Sequence, residues 1–204
     1  MSLAISLGED DVSKLPLEQF EKWYKDAIMN SVREADAMLV STVGPDNRPS
    51  ARVVYLRDFG THGFVFYTNY KSRKGQEIAY NSYCCMNFFW PELGRQIRIE
   101  GKLQMQCADD SSAYFAIRPR ESQIGAWASP QSQIIASRKE LDERVAKMTK
   151  EFDGKDVTRP LWWGGFVLIP DYFEFWQGRD SRLHDRITYT IQPDGSWKIG
   201  RLAP

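Results

Sequence analysis

Short segments with a period of two dominate this sequence and constrain its fold more than any other feature. Successive side chains of an extended strand point to opposite faces, so alternating apolar and polar residues indicate a strand buried on one side. Alternating segments, or short apolar runs bounded by turn residues, occupy residues 37–43, 50–57, 64–68, 83–90, 95–106, 163–169, 172–177, 184–191 and 196–202. Segments that we predict as helices cover residues 16–35, 72–81, 109–117, 122–128 and 137–152.

The order of these segments predicts a mainly β, α+β fold. The predicted strands outnumber the helices and lack the regular strand–helix alternation of a doubly wound sheet. We therefore expect one β-barrel-like domain with peripheral helices over residues 15–204. Residues 1–14 are short and polar, and we expect them to form a mobile N-terminal segment.

Charge and composition argue against several classes of function. Lys+Arg and Asp+Glu both number 27, so the formal net charge is zero and a generic basic surface for nucleic acid is not expected. No apolar run approaches the roughly 20 residues of a membrane span, and the N-terminus lacks a signal-peptide pattern. We therefore expect a cytoplasmic protein. Three cysteines without a C-x-x-C pair and two histidines give no reason to expect a metal site.

The usual signatures of several enzyme classes are also missing from the sequence. It contains no G-x-G-x-x-G after a strand, no P-loop and no G-x-S-x-G nucleophile motif. Clusters of cationic and hydroxyl-bearing side chains are the remaining candidates for chemistry. Such clusters suit an anionic ligand.

One cluster lies in the stretch from residue 173 to residue 187. If residues 182–187 are extended, Arg182, His184 and Arg186 share one face. Guanidinium groups can hold a flat anion, because they bind phosphate through two parallel hydrogen bonds and stack on rings. A solvated edge strand that carries charges against aggregation explains the same pattern.

Two further clusters combine cations with hydroxyl groups. Arg73 and Lys74 follow Ser72 at the start of a predicted helix, where backbone N–H groups and the helix dipole favour phosphate. Tyr114 and Arg118 are four residues apart, which places them on one face of a continuous helix, near the Ser122 hydroxyl. A solvated turn and an ordinary capped helix end remain the alternatives.

Three motifs make the chain resemble the pyridoxine/pyridoxamine 5'-phosphate oxidases, which are homodimers with an FMN-binding split β-barrel. They are Phe-Trp-Gln-Gly-x-x-x-Arg-Leu-His-Asp-Arg over residues 175–186, Arg-Pro-Arg-x-Ser-Gln-Ile-Gly-Ala-Trp over 118–127, and Tyr-Thr-Asn followed by Ser-Arg-Lys over 67–74. The resemblance implies FMN contacts from Arg52, Val53, Arg57, Tyr67, Thr68, Arg73, Lys74, Gln96, Gln131, Ser132, Trp176 and Arg186. It implies substrate contacts from Arg57, Tyr114, Arg118, Ser122, Arg182, Leu183 and His184, with Arg182 and His184 as catalytic residues.

The resemblance also implies a reaction and a quaternary structure. Pyridoxine 5'-phosphate or pyridoxamine 5'-phosphate is oxidised by dioxygen to pyridoxal 5'-phosphate, with release of hydrogen peroxide. The glutamine that matches Gln96 reaches the flavin from the other subunit, so a complete site needs the dimer.

The sequence departs from the family pattern in three places. Arg57 stands where the family usually has lysine, an Arg-x-x-Tyr element is not found near the N-terminus, and Glu34 has atypical neighbours. Two alternatives stay open: a flavin split-barrel reductase with another substrate, and a non-catalytic protein that binds FMN or pyridoxal phosphate.

Overall fold

The computed structural model describes residues 6–204, which fold around one large antiparallel sheet. Its helices are α1 (Pro16–Met29), α2 (Arg73–Tyr80), α3 (Ala108–Ala116), α4 (Arg120–Ala128) and α5 (Arg138–Glu151). Its strands are β1 (Ala37–Val43), β2 (Pro49–Tyr55), β3 (Asp58–Gly60), β4 (Gly63–Asn69), β5 (Tyr83–Trp90), β6 (Arg95–Met105), β7 (Trp163–Gln177), β8 (Asp185–Ile191) and β9 (Trp197–Arg201). None of these helices combines the length and the apolar character needed to cross a membrane.

The strands form a sheet in the order β2-β1-β5-β6-β7-β4-β3, and β8 and β9 extend it from β7. Two strands share one edge of β7, since its first part pairs with β4 and its last part pairs with β8. Strand β6 pairs along the other edge of β7. This arrangement is the split β-barrel with peripheral helices that we expected from the sequence.

The two strands predicted over residues 163–169 and 172–177 are one strand of 15 residues in the structure. The prediction of a break failed because a bulge accommodates Pro170: the register with β6 shifts between Glu100 and Gly101, and Asp171 is the extra residue. A Cβ on Gly101 would lie 2.1 Å from the backbone oxygen of Ile169, so this close crossing requires glycine.

The main core lies under α1, and a smaller cluster forms around Phe115 and Trp163. Ile97 and Ile99 of β6 are fully buried, as the alternation of that segment predicted. Phe20 of α1 packs edge-on against Phe64 and Phe88, with ring centroids 4.9 and 5.3 Å apart. Burial of these rings stabilises the fold by roughly 2 kcal/mol for each side chain.

Helix α1 ends at Met29, six residues before the predicted end near Ala35. Ser31 and Glu34 have φ angles of 53° and 51°, which lie outside helical geometry. The side-chain amide of Asn30 donates to the Asp26 carbonyl and satisfies one of the last carbonyl groups of the helix.

The N-terminal segment makes defined contacts from residue 7 onward. Leu7 is buried in the main core, and the Tyr189 hydroxyl donates to the Ser13 carbonyl at 2.6 Å. Residues 1–5 of the segment that we expected to be mobile lie outside the described residues. Mobility of residues 1–14 and the single domain over 15–204 stay predictions.

Candidate active site

The start of α2 builds the first cationic cluster. Ser72 caps the helix, since its hydroxyl accepts a hydrogen bond from the Gly75 N–H at 3.3 Å. Lys74 is 8% exposed, and its ammonium donates to the Thr68 hydroxyl and to the Gln131 side-chain oxygen, both at 3.3 Å. The predicted cofactor residues Thr68, Lys74 and Gln131 therefore meet at one point.

Burial lowers the pKa of Lys74 from its usual value, and the nearby Arg52 guanidinium lowers it further, while Glu77 raises it. The ammonium thus lies in a poorly solvated place with neutral hydrogen-bond partners. An anion placed here would recover the lost solvation energy of the cation. The cluster fits a phosphate group.

A buried carboxylate, Glu77, lies next to this cluster and was not among the residues predicted from the sequence. It accepts hydrogen bonds from Thr42 at 2.5 Å and from Ser50 at 2.6 Å, and it pairs with Arg52 at 3.1 Å and Arg73 at 2.8 Å. Burial raises the pKa of Glu77, but these four donors outweigh burial and lower it to about 2. The spacing of four residues between Arg73 and Glu77 on a predicted helix could have indicated their ion pair from the sequence.

Arg118 belongs to a second cationic cluster, at the start of β7. Its guanidinium carbon lies 4.5 Å from the centre of the Trp163 ring. The Nη1 atom is buried and has no hydrogen-bond partner among residues 6–204. Burial lowers the pKa of Arg118, Tyr114 raises it and Arg57 lowers it. A buried guanidinium nitrogen without an acceptor is a site for an anion.

Tyr114 and Arg118 meet, but not on one helix face as predicted. Helix α3 ends at Ala116, so Arg118 follows the helix, where Pro119 cannot continue it. Trp163 brings the two residues together, because Tyr114 is parallel to its ring at a centroid distance of 6.4 Å.

Tyr67 lies beside this second cluster, and Ser122 follows the cluster's Arg118 in the sequence. The Tyr67 ring stacks on the Tyr114 ring at 3.9 Å, and it links the two clusters because Thr68 is the next residue of β4. Ser122 lies in the first turn of α4, where its backbone N–H donates to the Pro119 carbonyl.

Arg57 lies two residues beyond β2, next to an acid. Its Nη1 is 3.1 Å from the Asp36 carboxylate, and its guanidinium carbon is 4.8 Å from the centre of the Tyr55 ring. Burial is the main cause of the lowered pKa of Arg118, and the charge of Arg57 makes a smaller contribution in the same direction. The arginine that stands where the family usually has lysine is thus held by Asp36 and by the Tyr55 ring.

The third cluster surrounds the end of β7, where the prediction of one extended row is wrong. Residues Asp180–Arg182 form a short 3₁₀ turn, and β8 begins at Asp185. Ser181 and Arg182 have left-handed φ angles of 56° and 61°. Arg182, His184 and Arg186 therefore do not alternate along one strand.

His184 lies against the sheet, while its neighbour Leu183 is 69% exposed. Its Nδ1 accepts a hydrogen bond from the Arg179 backbone N–H at 3.1 Å, and its ring centre lies 4.6 Å from that of Trp176. This contact fixes one ring nitrogen as an acceptor and leaves the other ring nitrogen to a ligand.

Three predicted cofactor residues form a row across the sheet at this end. Gln96 of β6 is the direct partner of Trp176 in β7, and Trp176 is the direct partner of Arg186 in β8. Paired residues share one face, so the three side chains lie side by side. Glu174 holds Arg186 at 2.7 Å and Arg98 at 2.7 Å on the same face.

Two other predicted cofactor residues, Val53 and Ser132, lie next to residues of the first cluster. Val53 of β2 is 61% exposed, and it lies next to Arg52, whose side chain points back to Glu77. Ser132 follows Gln131 and has a left-handed φ of 69°. The backbone positions of both are compatible with ligand contact.

The antiparallel split barrel and its cationic clusters have the properties of a protein that binds phosphorylated ligands. Within residues 6–204 the structure holds no group of three His, Cys, Asp or Glu side chains arranged for a metal ion.

Comparisons with known proteins assign the family. The sequence model of the pyridoxamine 5'-phosphate oxidase family matches residues 24–150, and that of the pyridoxine 5'-phosphate oxidase C-terminal dimerisation region matches residues 163–204. The chain belongs to the pyridoxamine 5'-phosphate oxidase family. It is therefore an oxidoreductase of that family.

Named relatives and solved structures agree with this assignment. The chain is 47% identical to a Trichormus variabilis pyridoxine/pyridoxamine 5'-phosphate oxidase, over 98% of this chain and 93% of the relative. It is 50% identical to the Chromobacterium violaceum protein of that name, over 97% and 92%.

Two solved structures share the fold. PhzG from Burkholderia lata, in complex with tetrahydrophenazine-1-carboxylic acid, has a TM-score of 0.92 and 28% identity, and the match covers 100% of both chains. An FMN-binding, pyridoxamine 5'-phosphate oxidase-related protein from Nostoc punctiforme has a TM-score of 0.74 and 16% identity, with 95% of this chain and 100% of that one covered.

Proposed function

We propose that this chain is an FMN-dependent oxidase that converts pyridoxine 5'-phosphate and pyridoxamine 5'-phosphate to pyridoxal 5'-phosphate. The observation that carries this proposal is the half-buried Arg118 guanidinium, whose buried Nη1 atom has no acceptor among the described residues. A phosphate dianion would supply that acceptor, and relatives at 47–50% identity are named for phosphorylated B6 substrates.

The substrate phosphate would bind between Arg118, Tyr114 and Arg57. Arg118 offers a fork of two parallel N–H donors, and the stacked Tyr114 offers a hydroxyl. The Ser122 hydroxyl completes this group in the family pattern. Arg57 adds a second positive charge, held by Asp36, which favours a dianion over a neutral vitamer.

FMN would bind at the first cluster and along the row on the sheet. Lys74 and Arg73, at the N-terminus of α2, would hold its phosphate, with Arg52, Thr68 and Gln131 around them. Gln96, Trp176 and Arg186 would contact the flavin ring. When bound, FMN supplies the acceptor for the hydrogen pair that leaves the substrate, and dioxygen regenerates it.

The side chains of the turn after β7 would orient the substrate ring. Arg182 would cover one face of the pyridine ring, and His184 would hydrogen-bond its oxygen substituent through the nitrogen that does not accept from Arg179. Orientation of this kind is a large contribution to rate.

The overall reactions balance with dioxygen as the oxidant. Pyridoxine 5'-phosphate and O₂ give pyridoxal 5'-phosphate and H₂O₂. Pyridoxamine 5'-phosphate, O₂ and water give pyridoxal 5'-phosphate, ammonia and H₂O₂. We place this chemistry in the cytoplasm, as the sequence led us to expect.

A homodimer would bring the parts of the site together. Arg118 packs against the first residue of β7, whereas His184 packs near its last residue. At about 3.3 Å per residue these positions are roughly 40 Å apart along the strand. A site made from one end of each copy removes this separation, and the match to a dimerisation region over residues 163–204 supports it.

An oxidase for an unphosphorylated, carboxylate-bearing ring is the second candidate. The structural likeness to PhzG favours it, and so does the arginine at position 57, which binds carboxylate and phosphate equally well. The lower identity to PhzG, 28% against 47–50%, counts against it.

Steady-state assays in air test the proposal. The FMN-loaded protein is given pyridoxine 5'-phosphate, pyridoxamine 5'-phosphate or unphosphorylated pyridoxine, and oxygen uptake, peroxide and aldehyde are measured. Equal amounts of aldehyde and peroxide from both phosphorylated vitamers, with little from pyridoxine, support it. Turnover of a cyclic carboxylate without turnover of either vitamer phosphate supports the second candidate instead.

A further inference from the structure

We propose that Glu9 is a positioning residue, which acts through Arg201 and Asp185 on the turn that carries Arg182 and His184. This inference rests on the proposed function, because it assigns a role in substrate orientation. It gives residues 7–9 a part in the site that neither the sequence motifs nor the family match over residues 24–150 and 163–204 covers.

The turn itself needs external support. Ser181 and Arg182 are consecutive non-glycine residues in the left-handed region, with φ angles of 56° and 61°. This conformation is unfavourable for L-residues and persists only when neighbouring contacts impose it. Leu183 is 69% exposed, so of the two residues that follow Arg182 only His184 packs, against Trp176.

Asp185, the first residue of β8, holds the end of the turn. One carboxylate oxygen accepts the Leu7 backbone N–H at 3.1 Å, and the other accepts Arg201 Nη1 at 2.9 Å. The Arg179 Nε, on the opposite side of the turn, is 3.8 Å from the same carboxylate. Asp185 thus joins both ends of the turn to the N-terminal segment and to β9.

Glu9 fixes the arginine that reaches Asp185. Arg201 Nε and Nη2 donate to the two oxygens of Glu9 at 3.0 and 2.9 Å, and Nη2 also donates to the Leu7 carbonyl at 2.9 Å. A paired arrangement of two parallel hydrogen bonds is specific in geometry. Isolated surface ion pairs contribute little, but a network tied to the backbone can hold a position.

The segment that carries Glu9 is anchored on both sides. Leu7 is 7% exposed within the main core, and the Tyr189 hydroxyl donates to the Ser13 carbonyl. The contacts of Glu9 therefore connect a packed segment to the turn, and loss of its charge should loosen the turn without unfolding the domain.

The test compares Glu9→Gln with Glu21→Gln in the FMN-loaded protein. Glu21 is a matched control, since its side chain is 48% exposed against 49% for Glu9 and it also pairs with a cation, Lys25. We expect Glu9→Gln to raise KM for pyridoxine 5'-phosphate about threefold to tenfold, while FMN affinity and Tm stay at the control values.

A double variant separates positioning from a general structural effect. If Glu9 acts through the turn, Glu9→Gln added to Arg182→Ala causes no further loss beyond Arg182→Ala alone. Multiplied losses, or a KM for Glu9→Gln equal to that of Glu21→Gln, would overturn the proposal.

Hydrogen exchange keeps the test independent of activity. The amides of residues 179–184 should exchange faster in Glu9→Gln than in Glu21→Gln, and unchanged protection there counts against positioning. If the wild-type protein oxidises neither phosphorylated vitamer, the proposed function fails, and hydrogen exchange still decides whether Glu9 holds the turn.

Discussion

Trp163 and Trp176 lie near opposite ends of β7, and each supports a different part of the candidate site. Trp163 stacks under Arg118, the candidate ligand for the substrate phosphate, and Trp176 lies against His184 in the turn with Arg182. One long strand thus carries two parts of the candidate site near its opposite ends. The match to a C-terminal dimerisation region begins at the first residue of this strand and covers residues 163–204.

We predict that Arg118→Ala weakens substrate binding and spares FMN binding. The variant removes the half-buried guanidinium that would hold the phosphate, at a cost of about 2 kcal/mol, or roughly 30-fold in KM. Steady-state kinetics and a fluorescence titration with FMN measure the two effects. Arg138→Ala is the control, because Arg138 is 83% exposed and pairs only along its own helix with Asp142. Equal losses of FMN and substrate affinity would contradict the assigned role.

Lys74→Met should weaken FMN binding by about tenfold to a hundredfold, since the isosteric side chain keeps the packing and loses the charge.

The pH dependence of FMN affinity has a defined sign. Burial lowers the pKa of Lys74, so the ligand-free protein loses this charge at a lower pH than an ordinary lysine. A bound phosphate raises the pKa again, so FMN affinity falls as the pH rises through the lowered value. Fluorescence titrations from pH 7 to 10 should show this fall in the wild type and a flatter curve in Lys74→Met.

Glu77→Gln should destabilise the FMN-free protein, because the amide cannot replace the charge that balances Arg52 and Arg73. The pKa of Glu77 is lowered from 4.5 to about 2, so its contribution to stability is complete above pH 4.5 and is lost as the pH falls toward 2. That difference corresponds to about 3 kcal/mol at most. Urea unfolding at pH 7 and pH 3, at one protein concentration, measures it. We expect the gap between wild type and variant to narrow at pH 3, and a constant gap would assign the effect to packing.

Mixed dimers should recover activity from two inactive variants. Arg182→Ala should keep FMN and lose most turnover, and Arg118→Ala should lose substrate affinity, as above. If the two residues of one site come from different copies, a mixed dimer has one intact site and regains up to half of the wild-type rate per dimer. Mixing by co-expression with two affinity tags gives the sample. Activity no higher than the sum of the parent variants would place both residues of a site in the same copy.

The sequence predicted the elements whose signals are local. The burial of Ile97 and Ile99 in β6 could be predicted, because the period-two alternation of a strand is visible in neighbouring residues alone. Signals carried by tertiary contacts were missed. The turn at Ser181 and Arg182 has left-handed φ angles but contains no glycine, the residue that usually indicates such a turn in a sequence. The continuation of β7 past Pro170 depends on a bulge opposite Gly101 in another strand.

The same difference between local sequence signals and tertiary contacts applies to the candidate site. The residues around Arg73, Lys74 and Arg118 were found through motifs, but Glu77, Asp36 and the Glu9–Arg201 contact were not. Ser50 and Arg52 lie in β2 and contact Glu77 in α2, and Arg201 near the C-terminus pairs with Glu9 near the N-terminus. Such pairs follow from the fold and leave no pattern in a single sequence.

Anaerobic addition of pyridoxine 5'-phosphate to the FMN-loaded protein tests the central claim most directly. The visible flavin absorption should bleach in proportion to the aldehyde formed, and it should return on admission of air with one peroxide for each aldehyde. Flavin that stays oxidised with both phosphorylated vitamers, or failure of the protein to bind FMN on reconstitution, would contradict the account.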